Sequence, residues 1–562
     1  MTPAADTGAE VAEHGVYTHR QIMVILSGLM LGMFLASLDQ TIVATAIRTI
    51  SDDLNGYALQ AWVTTAYLIT ATLATPLYGK LSDMYGRKPF YLAAITIFVV
   101  GSMLCTMAQS MYMLAAFRAF QGLGAGGLMS LALAILADIV SPRQRALYQG
   151  YFLAVFGTSS VLGPVIGGLL AGQDTIAGIA GWRWVFLVNV PIGALALAVV
   201  SRFLRLPKVR RSGVRIDWWG VVALAVGIVP VLVVAEQGRE WGWGSPESIT
   251  CYVIGAVGVL VFVLVEHRLR DAALIPLRMF RNSTFALGVV ISIVVGAAMF
   301  GGISLIPQYL QVVRGSSPTL AGMQMLPMVL GLMVGSILSG RLISRTGHYR
   351  IFPLIGAATV TLGMFLMHYV HADTPLPIVM VFMAIAGFGL GNMMQPLTLA
   401  IQNALPPQDM GVSTAASTFF RQIGGTLGVA VFLSILFAQL TPNITEQLQS
   451  AASDPGFQQA VVAGLHGDNP ADAALAGGLV HHDTSAAADV LHDSSVIQQL
   501  SPVLAQPFKV GFADSMSTVF LTVSVLALLS LVLVAFWKEV PLRTSSGLAA
   551  AAAGREGGHD PD

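Results

Sequence analysis

Long apolar stretches recur along the whole 562-residue chain, and a chain patterned in this way has few folds open to it. A segment that crosses the hydrocarbon of a bilayer needs about 20 mostly apolar residues. Its backbone groups must be satisfied without water, so only helices and closed barrels qualify. Fourteen segments meet the helical length, at about 21–47, 59–79, 90–109, 111–137, 146–171, 183–204, 217–236, 249–266, 284–311, 320–343, 351–371, 376–400, 412–440 and 513–537. They are too long for barrel strands, and the chain is predicted to be an all-α integral membrane protein. Hydrophobic residues make up 55% and charged residues only 10%, where a soluble domain carries about a quarter charged. The formal net charge is zero, which gives no electrostatic case for binding nucleic acid. Cys105 and Cys251 lie in different spans and imply neither a disulfide framework nor a metal site.

The basic residues orient the spans. With residues 1–20 in the cytoplasm, 22 of the 29 Lys and Arg fall on the inner side, among them Lys80, Arg87 and Lys88, the run from Arg202 to Arg215, and the run from Arg268 to Arg281. Five fall outside, and Arg118 and Arg421 lie within spans. That asymmetry is a positive-inside signal placing both termini in the cytoplasm. The tryptophans fall near span ends and read as interfacial belt residues. The first apolar run is too long for the core of a signal peptide and reads as an uncleaved helix. Residues 441–508 hold no Lys or Arg but several acids, including Asp454, Asp472 and Asp493, and so belong outside. His466, His481, His482 and His492 lie among those acids at spacings that match no metal-ligand pattern, so a solvated, partly ordered loop is expected. The Ala- and Gly-rich residues 538–562 are expected to be disordered.

An internal repeat divides the chain. Gly79-Lys-Leu-Ser-Asp83-Met-Tyr-Gly86-Arg87-Lys88 leaves the second span, and Gly340-Arg-Leu-Ile-Ser-Arg-Thr-Gly347-His-Tyr-Arg350 leaves the tenth on the same side. Echoes at corresponding places mark transporters built from repeats. The predicted organisation is a cytoplasmic segment 1–20, a six-helix bundle 21–204, hinges with an inserted seventh and eighth helix over 205–283, and a second six-helix bundle 284–537. The second bundle includes an outer loop 441–510. In the first loop, Gly79 permits close helix approach and Gly86 a turn with positive φ. Asp83 can cap a helix end or pair with Arg87. A latch between helices is expected there, against the alternative of an ordinary inside loop.

Two charges lie within early spans. Asp39 sits in Met33–Ala46, and an acid at the centre of a span costs about 2.5–3.5 kcal/mol on insertion scales. Arg118 stands in Phe117-Arg118-Ala-Phe-Gln121-Gly122 and cannot neutralise itself, so it must face water, a cavity or a carboxylate. Either residue could instead reach water at the outer end of its helix. A functional pair is the preferred reading. The fifth span carries Gly157-Thr-Ser-Ser-Val-Leu-Gly163-Pro164-Val-Ile-Gly167-Gly168, which reads as a close-packed, kinked helix.

In order, these motifs resemble the major facilitator superfamily, and more narrowly its 14-span drug:proton antiporters of EmrB/QacA type. The resemblance rests on Leu38-Asp39-Gln-Thr41, the Gly79–Lys88 loop, Arg118-x-x-Gln121-Gly122, Gly163-Pro164-x-x-Gly167-Gly168, Trp182-Arg183-Trp184 through Asn189 to Gly193, and Arg421-Gln422-Ile-Gly424-Gly425. It extends from about Ile22 to Lys538. The resemblance implies that Gly163, Pro164, Gly167 and Gly168 form the antiporter motif, that Arg118 serves proton transfer, and that Asp83 gates between bundles. Two departures stand out. Met84 occupies a place where the family often has arginine, and spans 10 and 13 hold no acid, which argues against export of dications.

Asp39 is then the expected coupling acid. Desolvation favours its protonated form and approach of Arg118 its ionised form. One charge crossing 100 mV is worth about 2.3 kcal/mol, so a proton entering at about 150 mV supplies about 3.5 kcal/mol. At about 1.4 kcal/mol per tenfold, that sustains roughly a 300-fold gradient of a neutral compound. The function expected is proton-coupled export of lipophilic neutral or monocationic drugs across a cytoplasmic membrane, by a monomer with no cofactor beyond the proton gradient. Export of an envelope lipid or a self-made metabolite is the alternative on the same fold. A sensor that keeps the fold without transport would not need Asp39 and Arg118. No phosphate-binding GxxxxGK[ST] occurs, which argues against an ATP-driven pump, and no enzyme is implied. Gln121, Gln324, Asn392, Gln395 and Arg421 are the candidates for lining an apolar cavity between the bundles. Topology reporters fused at residues 208 and 485 should report cytoplasmic and external locations respectively; the reverse pattern would overturn the orientation.

Overall fold

The computed structural model describes residues 18–54, 59–206, 217–480 and 496–543. Residues 1–17, Lys208, Arg210, Arg211 and Arg215 of the first hinge, His481, His482, His492, Asp493 and the tail beyond 543 lie outside the described residues.

The helices are α1 (His19–Asp53), α2 (Gln60–Tyr85), α3 (Arg87–Thr106), α4 (Met111–Ile139), α5 (Pro142–Ala171), α6 (Asn189–Phe203), α7 (Trp218–Trp241), α8 (Pro246–Leu269), α9 (Ser283–Gln308), α10 (Leu326–Thr346), α11 (Ile351–His368), α12 (Leu376–Asn403), α13 (Met410–Ala451) and α14 (Pro502–Ala535). Among the described residues, 13 helical segments are long and apolar enough to cross a membrane. The exception is α2, whose Thr64, Thr65, Thr70, Thr72 and Thr75 dilute an otherwise apolar run. Several of these hydroxyls return to the backbone, as Thr70 does to Ala66 O at 3.0 Å and Thr75 to Ala71 O at 2.9 Å, so a threonine-rich helix need not hold bare polar groups in lipid.

The two halves pack by the same plan. In the first, α2 lies on α4, α1 on α5 and α6, and α3 on α4 and α6. In the second, α10 lies on α12, α9 on α13 and α14, and α11 on α12 and α14. Adding eight to each number of the first set gives the second. The halves meet along two seams, α2 against α13 and α5 against α10. The inserted pair α7 and α8 is zipped by glycine: a Cβ at Gly255 would come within 3.1 Å of Gly227 O. Helix α7 also leans on both α2 and α13, with Leu224 packed in one cluster with Leu73, Leu77 and Phe419.

Small residues set the seams. A Cβ on Gly79 would press on Ala415 and lie 2.9 Å from Gly411 O. One on Gly340 would press on the Ala146 carbonyl of α5. The paired loop glycines therefore sit at equivalent places on the two seams. Both following turns need glycine, since Gly86 has φ of 97° and Gly347 of 78°.

Three expectations are corrected. The described residues of 441–510 are largely helical: α13 runs on to Ala451, helices Pro455–His466 and Pro470–Val480 follow, and α14 starts at Pro502. Buried Phe457, Leu475, Ile497 and Leu504 give this polar-looking segment a core, and the buried Asp472 accepts the Ser501 amide at 2.8 Å. Residues 538–543 are not free tail. Glu539 accepts the Tyr349 amide at 2.6 Å and Asn403 donates to Pro541 O at 3.0 Å, which pins this stretch to the α10–α11 and α12–α13 loops. Trp182 and Trp537 are buried rather than interfacial, donating to Asp53 at 2.7 Å and Thr284 O at 2.9 Å.

Valine at Gly340 should overpack the α5–α10 seam, at about 1–3 kcal/mol. That is enough to move a two-state equilibrium about 5- to 150-fold. In a background with Cys105 and Cys251 replaced by serine, Ala415→Cys should be shielded from a water-soluble maleimide and become labelled when Gly340→Val is added. Equal labelling in both would show that the seam does not tighten the neighbouring one.

Candidate functional site

Three arrangements surround the midline of the molecule. The first is a charge network buried within the first bundle. Asp39 on α1 is wholly buried and forms an ion pair with Arg118 of α4, itself 1% exposed. Arg118 Nη1 also donates to Gln121 Oε1 at 2.7 Å. Gln121 Nε2 donates to Asp39 Oδ1 at 2.9 Å and to Ser102 Oγ at 2.7 Å. Asn189, at the start of α6, donates to Asp39 Oδ1 at 2.8 Å and to Ser102 Oγ at 3.0 Å. The guanidinium lies 4.1 Å from the centroid of the Tyr67 ring, a cation–π contact from α2. Five helices thus contribute to one network.

Such a network satisfies a charge that lipid cannot. Two amide donors and a cation satisfy the Asp39 carboxylate inside the bundle. Two atoms remain without partners, Arg118 Nε and Asn189 Oδ1. A small rearrangement therefore has a vacant donor and acceptor to use.

The second arrangement is a cavity of about 630 Å³ between the bundles, a volume suited to a drug-sized molecule. Met33, Phe152, Phe156, Met299, Phe300 and Phe437 give it an apolar wall. Arg118 also borders it, so the charge network touches the cavity through its cation, and Gln395 and Arg421 border it from the second bundle. Three cavity candidates are placed elsewhere. Gln121 is occupied by Asp39 and Ser102. Gln324 accepts from Ser316 Oγ at 2.9 Å. Asn392 donates to Phe388 O of its own helix at 2.8 Å, where it packs on Gly335 of α10. Each amide turns to a nearby protein partner, which apolar surroundings favour.

The third arrangement closes one end of the cavity. Asp83 accepts the Gly411 and Val412 amides at 3.1 and 2.8 Å, at the first turn of α13 in the other bundle. A carboxylate on the exposed amides of a 42-residue helix complements the helix dipole. Arg87 braces Asp83 at 2.5 Å and Asp138 at 2.8 Å. Lys88 turns to Ser201 O within its own bundle, 2.7 Å away. Met84, where a basic residue was a possibility, is buried. Alongside, Arg145 donates to Gln402 at 2.6 Å and Arg143 to Ser344 O at 2.8 Å, both crossing the seam between halves.

The fifth-span motif links these parts. Side chains at Gly163 and Gly167 would strike Thr41 and Ile42 of α1, two and three residues from Asp39. On the same helix Pro164 and Gly168 face Gly322 and Thr319, in the short helix Pro318–Gln324 that leads into α10. Asn189, Ser102, Tyr67, Asp138 and Arg145 were not singled out as site residues from the sequence. Asn189 alone carried a signal, as a polar residue at the head of an apolar span.

A cavity between two like halves, shut at one end by contacts that cross from half to half, is the layout of a membrane transporter and not of an enzyme. The sequence model of the Major Facilitator Superfamily matches residues 29–429. Multidrug transporter protein MdtP of Bacillus subtilis (strain 168) is 32% identical over 540 residues, spanning 95% of this chain and 96% of its own. Multidrug resistance protein 3 of the same organism is 36% identical over 433 residues, with coverage of 77% and 83%. Among solved structures, the proton:xylose symporter XylE shares the fold at a TM-score of 0.56 and 13% identity, over 96% of this chain and 100% of that one. The chain belongs to the Major Facilitator Superfamily.

Removing one partner of a buried pair costs about 3–5 kcal/mol, whereas apolar replacement of both is often neutral. Arg118→Met should therefore lower the thermal unfolding midpoint in detergent by several degrees, and Asp39→Leu/Arg118→Met should regain most of it. Absence of recovery would show that Gln121 and Asn189 depend on the pair for their own positions.

Proposed function

We propose that this protein exports lipophilic drugs in exchange for protons, by alternating access of the central cavity. The observation that carries the reading is the position of Arg118, which pairs with buried Asp39 on one side and borders the cavity on the other. The relatives named as multidrug transporters support the class of cargo, as does an apolar, drug-sized cavity.

The chemistry follows from the contacts. A proton reaching Asp39 cancels its charge, and the ion pair with Arg118 loses its main attraction. The guanidinium, with Nε already unpartnered, is then drawn toward the cavity. Gln121 and Asn189 keep the neutral carboxyl in place, since each can also bond Ser102. Substrate and proton are thus coupled through one cation that serves either the carboxylate or the cavity. Access alternates because the Asp83 latch and the Arg143 and Arg145 contacts exist only while that end is shut. With the positive-inside assignment, that end faces the cytoplasm and the cavity discharges outward from a cytoplasmic membrane. Glycines of the fifth span keep α1 tight against α5, so a shift near Asp39 is passed to the partner bundle. Exchange against one proton drives neutral compounds with the full proton-motive force and monocations with its pH component.

Everted vesicles loaded with a pH-sensitive dye test the coupling. Addition of a lipophilic drug should collapse the proton gradient in the wild type and leave it intact in Asp39→Asn. Equal export by the two proteins would remove Asp39 as the coupling acid.

A further inference from the structure

Arg421 on α13 differs from the other buried arginines. Arg87 meets two carboxylates, Arg118 meets Asp39, and Arg145 is capped by the Ala137 and Val140 carbonyls and Gln402. Arg421 is 9% exposed, and among the described residues its one side-chain partner is Thr398 Oγ1, at 3.4 Å. No carboxylate among the described residues pairs with it, although guanidinium cannot shed its charge by deprotonation. It borders the central cavity, and beside it stand Gln395, one turn from Thr398 on α12, and Gln422, whose Oε1 has no partner. Gly296 of α9 lets the Arg421 backbone approach closely: a Cβ there would lie 2.9 Å from Arg421 C. The α13 backbone at Arg421 is therefore held close against α9, with the side chain on the cavity wall. A buried cation aimed into a drug-sized apolar cavity is complementary to an anion that brings its own apolar body.

We propose that Arg421, with Thr398 and Gln395, is the recognition point for the acidic head of lipophilic organic anions, which extends the cargo beyond neutral and monocationic compounds. The proposal rests on the cavity being the transport site. Arg421 supplies the charge and up to two parallel donors for a sulfonate or carboxylate, and the Met- and Phe-lined wall takes the hydrocarbon. The tasks fall to different bundles, with Asp39 and Arg118 in the first and substrate charge in the second.

Three matched probes decide it: a butylnaphthalenesulfonate, its uncharged sulfonamide and its trimethylammonium counterpart. Binding to the purified full-length protein in detergent, followed by thermal shift, needs no proton gradient. The wild type should bind the sulfonate at least tenfold more tightly than the sulfonamide. Arg421→Gln should lose that preference while sulfonamide binding stays within about twofold, and Arg421→Lys should keep part of it. Asp39→Asn should keep a sulfonate preference that falls when Arg421→Gln is added, yet fail to exchange the sulfonate for protons in vesicles. That variant separates failure of the anion site from failure of the coupling reading. Should Arg421→Gln not fold, Arg421→Lys and Gln395→Leu carry the comparison, each with a reduced sulfonate preference. A wild type that binds all three probes alike overturns the proposal. So does an Arg421→Gln protein that loses all three equally.

Discussion

A carboxylate and a guanidinium sealed together inside the first bundle determine most of what surrounds them. Desolvating two ions costs several kcal/mol each unless geometry and further hydrogen bonds offset it, and here the offset draws on five helices. Gln121 and Asn189 donate to the carboxylate and also to Ser102, and Tyr67 covers the guanidinium. Gln121 and Asn189 reach Asp39 and Ser102 together because α1, α3, α4 and α6 pack closely. Gly101 shows the dependence, because a Cβ there would come within 2.7 Å of the Gln121 Cα. The charge pair and the close packing of small residues are therefore one requirement met twice, electrostatically and sterically.

Between the bundles the balance is different. The contacts that shut one end are polar, lie near the ends of helices, and involve backbone groups of helix termini as much as side chains. Each can be exchanged for water at little net cost, whereas the contacts inside a bundle cannot. Two rigid halves with a soluble joint is the combination that alternating access needs. The inserted α7 touches both α2 and α13 near Leu224, so it must slide on at least one of them when that seam opens.

Much of this was legible in the chain because lipid is a strict solvent. It demands long apolar helices, so span number and repeat followed from hydropathy and from the echo of Gly79–Lys88 in Gly340–Arg350. It penalises charge, so Asp39, Arg118 and Arg421 stood out. Which way a polar side chain turns was not legible. Helices apolar on every face give no periodic contrast, and Gln121 was read toward the cavity when it turns to Asp39, as Gln324 and Asn392 turn to neighbours. Nor did composition reveal that residues 441–480, 496–510 and 538–543 are structured. Their order comes from a few buried side chains and from carboxylates on loop amides, Asp472 on Ser501 and Glu539 on Tyr349, and these are signals of contact rather than of content.

Charge movement joins the two halves of the mechanism. One proton in against one monocation out moves no net charge, so the membrane potential does no work on that exchange. One proton in against one anion out moves two charges in the favourable direction, worth about 7 kcal/mol at about 150 mV. The proposed anion site on the second-bundle wall thus fits the cargo on which a single coupling acid would be most effective. The absence of acids from α10, and from α13 between Val412 and Leu440, has the same consequence. With no carboxylate on those two stretches, the field of Arg421 in the cavity is opposed by Glu236 of α7 alone among the charged lining residues, and a low dielectric strengthens its pull on an anion.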